Sequence, residues 1–466
     1  MMEFKPLNKQ KWTTRKETEM ATKKTSTKKP AAKKPAAKKP AAAKKPAVKK
    51  TMFEAKVSAK KKAAGVKVCK LGKAGMPIKA KTYQDRKDIT SVEIQEGVTS
   101  IGEEAFKGCT ALTSVVIPDS VTSIGCCAFS GCSGLTSITV PDSVTHIGEG
   151  AFSYCGGLTG VVISGNVTSI EAGTFCECKK LVSVTMPDSV TRIGLSAFAV
   201  CEELRSMVIP ASVTSIGERA FAYCSGLTRV MMPDGVTDIG EAAFDSCNKL
   251  TNVTMPKCMT SIGKRAFAYC TALTSVNIPD SVTSIGGEAF VGCSGLTSVT
   301  IPNSMTSIDS SVFSDCDSLF DTKTVRGVNL VDGWPVGLEE GWSGDLDLTG
   351  IRGIGECAFA YNDGLTSVKI PDGVTSIGDY AFSYCRGLTS MTIPDSVTSI
   401  GECAFLNCRK LKEVKIPDGV TCIGANAFKL CKGLTSVSVP HSLKGVFDEN
   451  DIFEDCSNDL KITYRG

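Results

Sequence analysis

The chain has 466 residues, 42% hydrophobic and 22% charged, with 22 cysteines, two histidines and a formal net charge of +5. That net charge hides two opposite parts: residues 1–88 carry 28 Lys+Arg against 6 Asp+Glu, and the remainder carries 25 against 42, so neither part is described by the whole. Two histidines, no phosphate loop, no nucleophile elbow and no paired zinc knuckle leave almost nothing from which to build a catalytic or metal centre, and no apolar run reaches transmembrane length.

In chain order, the opening segment "MMEFKPLNKQKWTTRKETEM" lacks the apolar stretch of a secretory signal. An intracellular location, cytoplasm or nucleus, is therefore expected, with the cell surface as the alternative. The next segment, "KKPAAKKPAAKKPAAAKKPAVKK", breaks any helix with recurrent proline, and its lysines cannot bury a core. Residues 1–88 are thus expected to be a disordered cationic tail, with room for an N-terminal cap in 64–88. Lys28, Lys29, Lys33, Lys34, Lys38, Lys39, Lys44, Lys45, Lys49 and Lys50 are its candidate contacts to nucleic acid or another polyanion, because dense lysine displaces counterions from phosphates without reading sequence. In composition this stretch resembles the tails of linker histones and bacterial histone-like proteins. A solubilising tail that folds back on the acidic part is the competing reading.

From Ile89 a 23-residue unit takes over. Its phenylalanine falls at Phe106, Phe129, Phe152, Phe175, Phe198, Phe221, Phe244, Phe267, Phe290 and Phe313, then resumes at Phe359, Phe382, Phe405 and Phe428. A fixed period of this length predicts a solenoid in which each unit buries its apolar face against its neighbours. Within "LTSVVIPDSVTSIGCCAFSGCSG", Val115 and Ile117 read as the inward residues of a short strand that Pro118 ends. Val121 and Ile124 return to the core, Gly125 suits a crowded backbone, and Ala128, Phe129 and Cys132 fill the far side. About 16 coils at roughly 4.8 Å each are expected.

Fourteen cysteines occupy one slot, three residues after the aromatic position, from Cys109 to Cys456, with Asn362 as the exception. A cysteine locked to a repeat behaves as a small buried hydrophobe, so a ladder of reduced thiols is expected, and no metal or other cofactor. Threonine recurs in one slot of "VTSI", a ladder that duplication alone explains. The outward strand slot is least polar at Val162, Val208 and Met231, which makes these candidates for a protein contact. Residues 320–350 interrupt the period and hold Trp334 and Trp342 beside Glu339, Glu340, Asp345 and Asp347. A hairpin with rim tryptophans is the structural expectation here. Trp334 and Trp342 are also candidate partner contacts, because tryptophan is enriched at hot spots.

The motif "LxxVxIPxSVxxIGxxAFxxCxx" resembles the BspA-type leucine-rich repeat. The resemblance implies a β-rich solenoid, with repeats over 89–319 and again over 351–466, the latter with a C-terminal cap. It also implies a non-enzymatic scaffold that binds a protein partner, a role such repeats often serve at cell surfaces. A nucleic-acid or chromatin-associated protein driven by the tail, and a cell-surface adhesin, are the alternatives.

Overall fold

The computed structural model describes residues 68–320 and 325–466. The lysine-rich stretch from Lys28 to Lys50, with the expected tail and its histone-like character, lies outside the described residues. The rest is a β-solenoid of about 17 turns with little helix.

Each coil contributes two short strands that pair in parallel with the next coil at an offset of one repeat. Ser91, Val92 and Glu93 face Ser114, Val115 and Val116, and Ile101, Ile124 and Ile147 form one continuous column. Because the period is constant, each β-branched residue meets its own equivalent, which suits a flat pleated surface. Pro118 ends the strand as expected, and its carbonyl accepts the Val121 N–H at 3.1 Å.

On the far side the backbone alternates. The N–H groups of Cys127, Phe129 and Gly131 donate along the stack to Glu149, Ala151 and Ser153 at 2.7–2.8 Å. Those of Ala128, Ser130 and Cys132 instead close turns within the coil. The alternation needs left-handed backbone on both sides of the aromatic residue, as at Cys127 (φ 52) and Gly131 (φ 73). Many coils fill these positions with other residue types, including the β-branched Val200 (φ 61), a costly choice for a branched side chain.

The phenylalanines form a buried column of offset-parallel rings. Phe106 and Phe129 lie 5.1 Å apart with 0° between their planes, within the range favoured by aromatic quadrupoles. The glycine that follows the inward isoleucine in most coils has a steric reason, since a Cβ on Gly125 would meet the Glu103 nitrogen at 2.6 Å.

Polar side chains are absorbed by the stack. Thr122 and Thr191 donate through their hydroxyls to the carbonyls of Thr99 and Thr168 at 3.1 Å. Ser143 and Ser212 donate likewise to Val121 and Val190 at 2.7 and 2.6 Å. The cysteine ladder is buried but does more than fill space. Cys132 donates its S–H to the Phe106 carbonyl at 3.1 Å, and Cys224 to that of Phe198 at 3.1 Å. The thiol gives a buried carbonyl a second donor where an aliphatic residue would give none.

The array begins earlier than Ile89. Val68–Leu71 pairs with Ser91–Ile94, Ile78 bridges Ile101, and Tyr83 stacks on Phe106 at 5.1 Å. It starts in the stretch 64–88, where the sequence leaves room for an N-terminal cap, as a degenerate coil in which Tyr83 and Arg86 stand in the aromatic and cysteine slots.

The interruption is a hairpin, Val328–Val331 and Trp334–Leu338 in antiparallel pairing, joined by Asp332 (φ 47) and Gly333 (φ 80), the residues a two-residue turn requires. It separates two cores. Val331 and Trp334 belong to the first, while Val328 and Leu330 belong to the second. Arg352 ties the hairpin down by donating to the carbonyls of Ile301 and Pro302 at 3.0 and 3.1 Å and to Asp332 at 3.0 Å. At the C-terminus, Phe453 stacks on Phe428 at 5.6 Å, and Lys461–Arg465 adds a last strand. There Arg465 donates to Ser438 at 3.0 Å and Ile416 at 2.6 Å. Each array thus ends with an arginine satisfying strand-end carbonyls.

Candidate interaction surface

Three residues per coil point outward from the longer strand; in most coils the first is threonine and the second serine, as at Thr136 and Ser137 or Thr297 and Ser298, while the third varies among threonine, valine, asparagine and lysine. The first of these threonines is self-satisfied, as where Thr159 donates to the Thr136 carbonyl at 3.0 Å. The result is a hydroxyl-rich face whose third column, with Val116, Val162, Val208, Met231, Lys369 and Lys415, carries most of the variation between coils.

Two of the candidates read from sequence stand together in that third column. Val208 and Met231 are 72% and 56% exposed and sit opposite each other in register on Ser206–Val208 and Arg229–Met231. Val162 is half-buried and pairs with Thr185, so it is separated from the other two.

Sequence reading missed three neighbours on the same face: Val182, which is 43% exposed, and the exposed Arg205 and Arg229. They stand in slots that mostly hold threonine or serine, and that departure was the available signal. Also missed were the exposed tyrosines Tyr154, Tyr223, Tyr269 and Tyr361, which share the left-handed slot two residues after phenylalanine.

The tryptophans are placed differently from the expectation of partner contacts. Trp334 is 2% exposed, its ring is crowded against Gly353, and the Arg352 guanidinium lies 5.8 Å above it. A residue so enclosed cannot meet a rigid partner, and its place in the seam between the cores is the physical reason. Trp342 is half-buried on the second core and pressed against Gly327. Neither indole N–H has an acceptor among the described residues. Asp345 is engaged by Thr366 and Ser367 at 2.7 Å, and Asp347 by Lys369 at 3.1 Å.

Burial controls the thiols. It pushes Cys178 and Cys385 up to about 12 from an ordinary 9.0, and it raises Cys155 well above that ordinary value. All the described cysteines are free, with Cys126, Cys258 and Cys422 exposed. Among the described residues no group of three or more His, Cys, Asp or Glu could hold a metal ion. No described helix is long and apolar enough to cross a membrane.

Comparison with solved structures finds a leucine-rich repeat protein from Bacteroides ovatus, 28% identical, covering 86% of this chain and 92% of that one with a TM-score of 0.49. A leucine rich cell surface protein from Faecalibacterium prausnitzii is 33% identical over 74% of this chain and 83% of that one, with a TM-score of 0.34. Comparison with curated proteins gives no match. The family model for the BspA type leucine rich repeat region matches residues 77–205, 191–320 and 348–462, and with the coil geometry above this places the chain in the BspA-type leucine-rich repeat family.

Proposed function

We propose that the protein is a non-enzymatic scaffold that binds a protein partner on the outward sheet face. The observation that carries this reading is the exposed pair Val208 and Met231, side by side on adjacent strands of a face whose first two outward columns are mostly threonine and serine. A stacked array suits the role, because it holds a surface rigid without ordering entropy at the moment of binding. The ladder of free thiols supports a reducing compartment, where such groups stay reduced, and hence an intracellular location. Imaging of a tagged full-length chain tests the location, and surface staining would favour the adhesin reading.

A second reading rests on the excess of 28 Lys+Arg over 6 Asp+Glu in residues 1–88: an arm that binds polyanions and dominates the function. The two separate in one experiment. The full chain and a variant with glutamine at Lys28, Lys29, Lys33, Lys34, Lys38, Lys39, Lys44, Lys45, Lys49 and Lys50 are titrated with the protein recovered by cross-linking to the full chain. Unchanged affinity supports the scaffold. Loss of all binding in the glutamine variant transfers the function to the arm.

A further inference from the structure

The repeat supplies its own reference, because every coil offers the same outward strand positions. Across most of the array the first two positions hold threonine and serine, while the third is mixed, with threonine at 139, 185, 254, 300 and 392 and valine at 116, 162 and 208. Five residues without a hydroxyl fall in three consecutive strands: Val182 before Ser183–Thr185, Arg205 and Val208 around Ser206–Val208, and Arg229 and Met231 in Arg229–Met231. Duplication predicts threonine at the first position and serine at the second, which Val182, Arg205 and Arg229 break. The third column varies, and there Met231 is unique while Val208 repeats Val116 and Val162; core packing dictates none of the five, since all five side chains are exposed.

The charge at this place is unusual too. Residues 89–466 hold 25 Lys+Arg against 42 Asp+Glu, yet no carboxylate occupies an outward strand position from Thr113 to Thr300, and within that run only Arg205 and Arg229 bring charge. Most other arginines in the array are engaged, as Arg192 is with Glu171 at 3.0 Å and Arg265 with Glu288 at 2.6 Å. Arg205 and Arg229 have no acidic partner among the described residues. Two free guanidiniums therefore flank an aliphatic strip. Val208 and Met231 are paired across adjacent strands, and Thr228 N–H donates to the Arg205 carbonyl at 2.9 Å, which fixes the two arginine-bearing strands together.

From this patch we infer that the partner presents an extended acidic segment, with carboxylates alternating with aliphatic side chains. The inference rests on the scaffold reading above and adds the chemistry of what the scaffold takes. Guanidinium groups pair with carboxylates in a planar fork, and the aliphatic strip buries alternate side chains of an extended chain. A single nucleic acid strand also carries negative charge, but its bases need aromatic platforms. The outward strand positions from Thr159 to Thr254 hold no aromatic residue.

The test uses the full chain and three fluorescent probes: an alternating Glu-Val octapeptide, its Lys-Val counterpart and an oligo-dT strand. Two variants install the array's own residues, Val208→Thr with Met231→Thr, and Arg205→Thr with Arg229→Ser. Both should melt as the parent does, because the positions are exposed. Any contribution of the arm is common to all three proteins and cancels in the comparison. Each variant should weaken Glu-Val binding about tenfold or more, as expected for residues at the centre of a contact, and Lys-Val should not bind. Equal binding of Glu-Val by parent and variants, or no binding by the parent, overturns the inference. Oligo-dT binding that the arginine variant abolishes also overturns it, in favour of a nucleic acid. A natural protein partner held equally by parent and variants sinks the patch while leaving the scaffold standing.

Discussion

Gly240→Ala isolates the packing that lets coils approach. Its backbone is not left-handed, so a methyl group meets no conformational penalty, and reduced freedom of the unfolded chain would by itself stabilise by about 0.4–1 kcal/mol. The structure predicts the opposite sign. A Cβ at Gly240 would lie 2.6 Å from the Glu218 nitrogen and 2.7 Å from the Gly217 carbonyl carbon. Both are backbone atoms that cannot rotate away, so two coils must separate by several tenths of an ångström. Separation lengthens the Gly240 N–H bond to the Ile216 carbonyl, now 2.9 Å. Overpacking of this kind costs about 1–3 kcal/mol and a weakened buried hydrogen bond about 1 kcal/mol, for a total of about 3 kcal/mol. Gly235→Ala in the same coil is the control, since its nearest foreign atom is 3.6 Å away; it should gain about 0.5 kcal/mol. Urea unfolding followed by far-UV circular dichroism, with hydrogen exchange over residues 216–262 to locate the change, reads both. A neutral or stabilising Gly240→Ala would refute the coil packing described here.

Val200→Asn should stabilise by about 1 kcal/mol in the same assay, because asparagine tolerates the left-handed backbone that a β-branched residue resists, as Asn407 does at φ 63. Trp334→Ala should destabilise by about 3–5 kcal/mol and leave partner affinity unchanged where the variant is folded, since the ring lies in the seam between the two cores. The thiols give a pH dependence with a definite sign. Above an ordinary thiol value of 9.0 the unfolded chain releases protons that buried Cys178 and Cys385 retain up to about 12. Stability is therefore intact below pH 9 and falls as pH rises, by about 1.4 kcal/mol per pH unit for each such thiol. Cys178→Ala should make that alkaline decline shallower by one thiol, measured as urea midpoint against pH. A membrane-impermeant alkylating reagent should spare the ladder thiols in the folded chain and label them on unfolding without prior reduction.

Much of the fold was legible because duplication repeats each signal. Val115, Ile117, Val121, Ile124, Ala128, Phe129 and Cys132 all lie in the core where their spacing placed them, and Gly125 occupies the crowded site its position implied. Single coils with altered motifs were harder to read. The first coil hid behind Tyr83 and Arg86 in the phenylalanine and cysteine slots. The alternating left-handed backbone left only a partial glycine signature, at positions such as Gly108, Gly131 and Gly292, because residues such as Cys127 and Tyr223 adopt it in other coils. Trp334 shows why composition misleads about sites: the same large aromatic that anchors interfaces also seals seams, and only the hairpin's register shows which applies. At the surface, attention to apolarity found Val208 and Met231, whereas Arg205 and Arg229 emerge only when each slot is compared with its own column.

The most direct measurement is a photo-cross-linking scan in cells. A photoreactive residue is placed in turn at positions 116, 139, 162, 185, 208, 231 and 254 of the outward strand column and at Tyr154 and Tyr361 on the turn edge. Cross-links to one polypeptide that peak at 208 and 231 and fade on either side are the expected result. Cross-links spread evenly along the column, confined to the turn edge, or formed only with nucleic acid would contradict a protein-binding scaffold that works through this face.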